Sequence, residues 1–241
     1  MTGVEFADPD RGLAAALRSG AAVLFDHEDV LAAEPQAAPD LDGDAAVTQT
    51  ARVELGAGEL ELELSPVGHS IRLQGEAIPA EELIACRVLG TLRREGEARE
   101  FACLGVRSQA AEPNWSRIQR YRSLAVAFSD GGLLALSAVQ PAGAEGHDAD
   151  EVVAALSGPE GEPTPIEEAL LSTQYDSDGR HRRATIELWP EGEAVPPIRA
   201  GGSIVCGTSL AVGDLQLDTA FFRWSLDGRP GLGRYEVLRR Q

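Results

Sequence analysis

The run Glu59-Leu60-Glu61-Leu62-Glu63-Leu64-Ser65 (ELELELS) alternates charged and apolar side chains with a period of two. Successive side chains of a strand point to opposite faces, so the three leucines share one face and the three glutamates the other. A helix would scatter the same residues around its axis. The run therefore reads as a strand with one buried and one wet face. The pattern spreads outward. SIRLQ carries it on through Ile71 and Leu73, and LIACRVLGTLRREGEAREFACLGV (83–106) reads as two strands about a turn at Glu95-Gly96.

The second half repeats this style. Turn signals fall at Asp130-Gly131-Gly132, Asp178-Gly179, Gly213-Asp214 and Asp227-Gly228. Long helical patterns are missing, which indicates an antiparallel meander closing into barrels or curved sheets. One short helix is expected at the N-terminal end, where DPDRGLAAALRSG offers Asp8 as N-cap, Pro9 in the first turn and Gly20 as a stop. SLAVAFSDGGLLALSAVQPAGA (123–144) is apolar enough to suggest a membrane span, but the Asp130-Gly131-Gly132 turn makes it a hairpin.

The chain has 241 residues, 39 acids against 21 bases and a net charge of -18. Such a field repels nucleic-acid phosphates and anionic membranes, so neither is an expected partner. Every basic residue is an arginine. A Schiff-base lysine, a pyridoxal anchor and a P-loop lysine are thereby excluded. Cys86, Cys103 and Cys206 have no metal or redox spacing, and MTGVEFADPD has no apolar core of a signal peptide. Both observations point to reduced thiols and a cytoplasmic location. Oligomeric state is not legible.

Several motifs fail on context. CGTSLA (206–211) lacks the last glycine of a nucleophile elbow and precedes a strand. DLDGD (40–44) has Ala45 and Ala51 where a calcium loop needs glycine and glutamate. His147 with Asp148 and Asp150 is the nearest approach to a metal set, and no metal or other cofactor is expected. TIELW places Glu187 and Trp189 on one strand face, and DTAFFRW places Asp218, Phe222 and Trp224 on one face. Turned into a barrel, these faces would form an apolar pocket with one or two carboxyl groups, a setting that suits proton donation. GVRSQAAEPNWSRIQRYR (105–122) adds Arg107, Ser108 and Trp115 as candidate ligand contacts, with Arg117, Arg120 and Arg122 as a wet strand surface.

LGVRSQAAEPNWSRIQRYRSLAVAFSDG, followed by AFFRWSLDGRPGLGRYEVLRR, resembles the second half of the AttH and hydroxyneurosporene synthase (carotenoid 1,2-hydratase) group. The resemblance covers roughly Leu104 to Arg240. It implies two lipocalin-like antiparallel barrels or curved sheets packed together, here 1–104 and 105–241. It also implies a small hydrophobic ligand of isoprenoid, polyketide or lipid type, and cofactor-independent isomerisation, hydration or cyclisation. Asp218 and Glu187 are then the candidate acids. Arg107, Ser108, Trp115, Trp189, Phe222 and Trp224 are the candidate ligand contacts. The sequence departs from the group's Asp-His-Ser-Trp-Gly-type motif: Ser108 matches, Arg107 stands where the histidine would, and Trp115 comes seven residues later. That departure leaves a non-catalytic carrier, or a structural β-barrel with a degenerate site, as the alternative.

Overall fold

A computed structural model describes residues 1–18, 20–34, 39–42, 47–56, 58–144, 146, 149–159, 161–192 and 196–240. The first half holds β1 (Thr2–Asp8), β2 (Leu13–Arg18), β3 (Ala21–Asp26), β4 (Asp29–Glu34), β5 (Asp40–Asp42), β6 (Gln49–Leu55), β7 (Gly58–Pro66), β8 (Ile71–Leu73), β9 (Glu81–Arg94) and β10 (Glu97–Ala110). They form one curled sheet ordered β4-β3-β2-β1-β10-β9-β7-β6-β5, with β8 paired to β9. A 3-10 turn at Trp115–Arg117 leads into the second half. There β11 (Ile118–Phe128), β12 (Leu133–Pro141), β13 (Glu151–Ser157), β14 (Thr164–Tyr175), β15 (His181–Pro190), β16 (Ile198–Val212), β17 (Leu215–Leu226) and β18 (Arg229–Arg240) close into an eight-stranded antiparallel barrel. The chain passes between the sheets after Ala110, so Arg107 and Ser108 belong to the first sheet.

The alternating run is β7, and Leu60, Leu62 and Leu64 are buried in the hollow of the curled sheet with Val4, Phe6, Val53 and Phe101. The turns at Glu95-Gly96, Asp130-Gly131-Gly132, Asp178-Gly179, Gly213-Asp214 and Asp227-Gly228 all lie between strands. Residues 123–144 are largely the β11–β12 hairpin, and among the described residues no helix is long and apolar enough to cross a membrane.

The expected N-terminal helix is not formed, and the described residues contain no α-helix. Asp8 does accept hydrogen bonds from the backbone N–H groups of Asp10 and Arg11, at 3.1 Å each. However, Gly12 then takes a positive φ of 64° and the chain reverses into a hairpin. Leu13–Arg18 lies between β1 and β3. Its small Ala14 and Ala16 pack with Phe25, Cys206 and Phe221 where the two halves meet. Tertiary packing thus overrides the helix propensity of alanine.

Both faces of several strands are covered. The closed barrel is filled by Phe128, Leu134, Leu136, Phe222, Trp224, Tyr235 and Val237. Trp224 fits because Gly202 has no side chain: a Cβ there would lie 2.6 Å from the indole. Three further apolar clusters join the sheets. Ala125, Ala127, Leu133 and Ala135 meet Leu83, Ala85 and Val106; Tyr121, Leu215, Leu217 and Leu238 meet Ala21 and Ile78; Cys206 and Phe221 meet Phe25. A polar latch reinforces the seam. The Glu151 carboxylate accepts the backbone N–H groups of Glu76 and Ala77 at 2.5 and 2.6 Å.

Candidate active site at the seam between the sheets

The sequence-derived candidates fall in four places. Asp218, Phe222 and Trp224 point into the closed barrel, as their shared parity requires, and are at most 2% exposed. Asp218 is fully engaged there. Ser209 Oγ donates to it at 2.5 Å, Gln216 Nε2 at 3.4 Å, and Arg239 Nη2 lies 2.8 Å away. Phe222 stacks on His181 with centroids 5.5 Å apart, and on Trp224 at 5.6 Å. Glu187 and Trp189 have the opposite parity from the buried Ile186 and Leu188. They lie on the outer face of β15, where Glu187 is half-exposed and pairs with Arg199 at 3.0 Å. The barrel interior therefore receives Asp218 but not Glu187.

Arg107 and Ser108 part company for the same reason: neighbours on a strand face opposite ways. Arg107 turns into the hollow of the curled sheet, where its guanidinium donates to Gln49 at 2.6 Å. Ser108 and Trp115 both line a pocket at the seam, with Trp115 set edge-on against Tyr121 at 6.0 Å. Arg122 is not wet surface. It points into the closed barrel, is 5% exposed, and pairs with Asp150 at 2.5 Å beside Arg120 at 3.3 Å. The calcium-like stretch and His147 with Asp148 fall in part or wholly outside the described residues. Among the described residues no cluster could hold a metal ion. The three cysteines are unpaired, and burial raises their thiols to about 11 for Cys86 and about 12 for Cys103 and Cys206.

The seam pocket has a volume of about 130 Å³. Its apolar wall comes from Leu17, Ala21, Trp115, Leu215, Leu217 and Leu238, and its polar wall from Glu5, Arg18, Glu81, Ser123 and Arg234. Strand alternation sets that polar wall. Glu5 is the seam-facing residue between Val4 and Phe6, which fill the hollow, and Arg234 and Glu236 flank Tyr235, which fills the barrel.

Arg234 is 2% exposed and ties the group together. Its Nε donates to Glu5 Oε2, and its Nη1 donates to Glu236 Oε2 at 2.5 Å and Ser123 Oγ at 3.0 Å. Glu236 also accepts from Thr219 Oγ1 at 2.9 Å and pairs with Arg18. Three carboxyl groups (Glu5, Glu81, Glu236) thus gather around two guanidinium groups. Burial penalises the charged form of Glu5, Arg234 only partly offsets this, and the carboxyl is pushed up to about 7. Because Oε2 already accepts from Arg234, the proton belongs on Oε1, which is buried and has no hydrogen-bond partner among the described residues. The Arg234 guanidinium is also opposed by burial, but Glu236 and Glu5 more than compensate and hold it charged.

Sequence reasoning missed Glu5, Arg18, Glu81 and Arg234. The available signal was a lone glutamate inside the apolar run VEF, and charges alternating with Tyr235 and Val237 in RYEV.

No family profile and no curated protein matches the chain. Solved structures do share its fold. An AttH from Nitrosomonas europaea superposes with a TM-score of 0.61 at 14% identity, over 94% of this chain and 80% of that one. CghA with Sch210972 gives 0.60 at 12% identity, over 100% and 88%. Kievitone hydratase from Nectria haematococca gives 0.53 at 8%, over 100% and 88%. The architecture of one closed barrel beside one curled, lipocalin-like sheet is thus similar to that of these proteins.

Proposed function

We propose that this protein binds a small hydrophobic molecule at the seam between its two sheets and moves a proton on it without a cofactor. The observation that carries the reading is Glu5 Oε1: a buried carboxyl oxygen with no hydrogen-bond partner among the described residues, in the wall of the seam pocket, on a group that burial pushes up to about 7. A proton donor works best when its affinity for the proton matches the working pH. Glu5 would give the proton from Oε1 to a carbonyl oxygen or alkene carbon of the substrate. The resulting carboxylate would be held by Arg234 and would take a proton back as product forms. Isomerisation, hydration and cyclisation all need such a step. Kievitone hydratase, one of the proteins sharing the fold, is by name a hydratase, which agrees with this class.

Glu5→Gln keeps the shape and removes the acid. It should lower turnover of a responsive substrate by about 10²- to 10⁴-fold while leaving its affinity within a few-fold. Unchanged turnover would end the acid assignment. A carrier is the second reading, favoured by Arg107 standing in place of the motif histidine and turning away from the pocket. It predicts ligand-induced thermal stabilisation with no product from wild type or variant.

A further inference from the structure

We infer that the outer face of the closed barrel carries a second site, which holds the phosphate monoester group of a small soluble molecule between Arg183 and Arg223. This site stands apart from the seam and does not depend on Glu5.

Strand parity builds it. Ala184, Ile186, Phe222 and Trp224 fill the barrel, so Arg183 and Thr185 on β15 and Arg223 and Ser225 on β17 face outward. Between them, β16 presents only Gly201 and Ser203. The register sets Arg183 opposite Ser203, and Ser203 opposite Arg223. Two residues along, it sets Thr185 opposite Gly201, and Gly201 opposite Ser225. Two long side chains thus flank one small residue, with their backbones roughly 10 Å apart. The result is an open groove. Its floor is clear, since a Cβ on Gly201 would meet no described atom within 4 Å.

Charge selects the ligand. Arg183, Arg223, Gln174 and the hydroxyl residues Thr185, Ser203 and Ser225 line the groove. Among the described residues no aspartate or glutamate lines it, in a chain with 39 acids. Neither arginine has an ion pair or hydrogen bond among the described residues. The acids next along the strands are engaged elsewhere: Glu187 with Arg199, and Asp176 with Arg182. Asp8 and Asp10 line an adjoining groove with Arg223 but do not pair with it. Two guanidinium groups flanking one serine match a dianion, because each planar fork can meet two of its oxygens. A phosphate monoester carries close to two charges at neutral pH, whereas a carboxylate or sulfate ester carries one. The net charge of -18 does not prevent this. Salt of about 0.1 M screens exposed charges beyond roughly 10 Å, so the acid-free lining decides.

The test titrates the full-length protein with phenyl phosphate and phenyl sulfate, which share a shape and differ in charge. Calorimetry is run in about 0.1 M salt at about pH 8, above the second phosphate pKa. Phenyl phosphate should bind saturably, and phenyl sulfate at least tenfold more weakly. Both arginines are exposed, so the fold should survive their loss. Arg183→Gln and Arg223→Gln should each weaken phenyl phosphate about tenfold or more, the worth of one charge-assisted contact. Gly201→Leu keeps both arginines, blocks the floor and should do the same. Arg87→Gln, at an exposed arginine of the other sheet, should change nothing. Unsaturable binding, equal affinity for phenyl sulfate, full affinity in any of the three groove variants, or an equal loss with Arg87→Gln would overturn the inference. Vesicles bearing phosphatidic acid, whose headgroup is also a phosphate monoester, should not carry the protein down on sedimentation. If they do, the ligand is a lipid surface and not a small soluble molecule.

Discussion

The closed barrel and the seam each bury a carboxylate against an arginine, and they treat it differently. Inside the barrel, Asp218 meets Ser209, Gln216 and Arg239. At the seam, Glu5 meets Arg234 through one oxygen and leaves the other without a partner among the described residues. A buried polar atom without a partner costs stability, so a fold that keeps one at the wall of a pocket has left room for a ligand to supply it. Asp150, paired with Arg122 in the barrel, also leaves Oδ1 without a partner among the described residues, so what sets Glu5 apart is its place in a pocket wall.

The largest effect should come from removing the cation at the seam. Arg234→Ala strands Glu5 and Glu236 in the interior, with only Arg18 nearby. Breaking a buried pair by deleting one partner costs about 3–5 kcal/mol. Urea denaturation should show a loss of that size, and a loss below about 1 kcal/mol would mean that the seam is wetter than its burial indicates.

Next in size is the pH response of Glu5. Its folded pKa is raised from 4.5 to about 7. For an acid raised on folding, the stabilisation is complete below the unfolded value and is lost as pH rises through the folded one. Between pH 4.5 and 7 the chain should lose about 3 kcal/mol from this group. Glu5→Gln should remove that loss and leave the opposing rise from His181, whose imidazole burial holds neutral. An unchanged slope would assign the titration elsewhere and blunt the comparison.

A smaller effect tests whether the two sheets act as one body. Glu151 reaches from β13 to two backbone N–H groups of the first half. Glu151→Ala should cost about 1–3 kcal/mol, because charge-assisted bonds exceed neutral ones. It should also keep a single unfolding transition. Two separated transitions would show that the halves fold independently.

These tests also show what the sequence makes legible. Period-two runs such as Glu59–Ser65 identify strands because alternation is a local property, and the Asp-Gly turns follow from the need for positive φ, as at Asp227 and Gly228. The residues 13–18 mislead because alanine favours a helix locally, while only the opposite sheet supplies Phe221 and Cys206 to pack on it. The site fails to show for a related reason. Parity gives two faces per strand but not what covers each. Asp218, Phe222 and Trp224 are correctly grouped on one face, whereas Glu5 and Arg234, separated by more than 200 residues, meet only through the docking of two sheets. Arg122 misleads likewise: a charge on a strand suggests water until a barrel closes over it.

The smallest predicted effect bears most directly on the comparison, because Asp218 is the carboxyl that parity alone would choose as an acid. Asp218→Asn keeps the shape, and its amide oxygen still accepts from Ser209. Arg239 is 40% exposed and can return to water. The loss should therefore be about 1 kcal/mol, that of one modest hydrogen-bonding change. The Glu5 contribution to the slope between pH 4.5 and 7 should stay as in wild type, while His181, whose charged form Asp218 favours, should be held neutral more strongly. Turnover should stay within about twofold, because no proton passes through a carboxylate whose oxygens are already engaged. If Asp218→Asn instead abolished turnover while Glu5→Gln did not, the chemistry would move from the seam to the barrel interior. The unpartnered oxygen of Glu5 would then be a cost of packing two sheets.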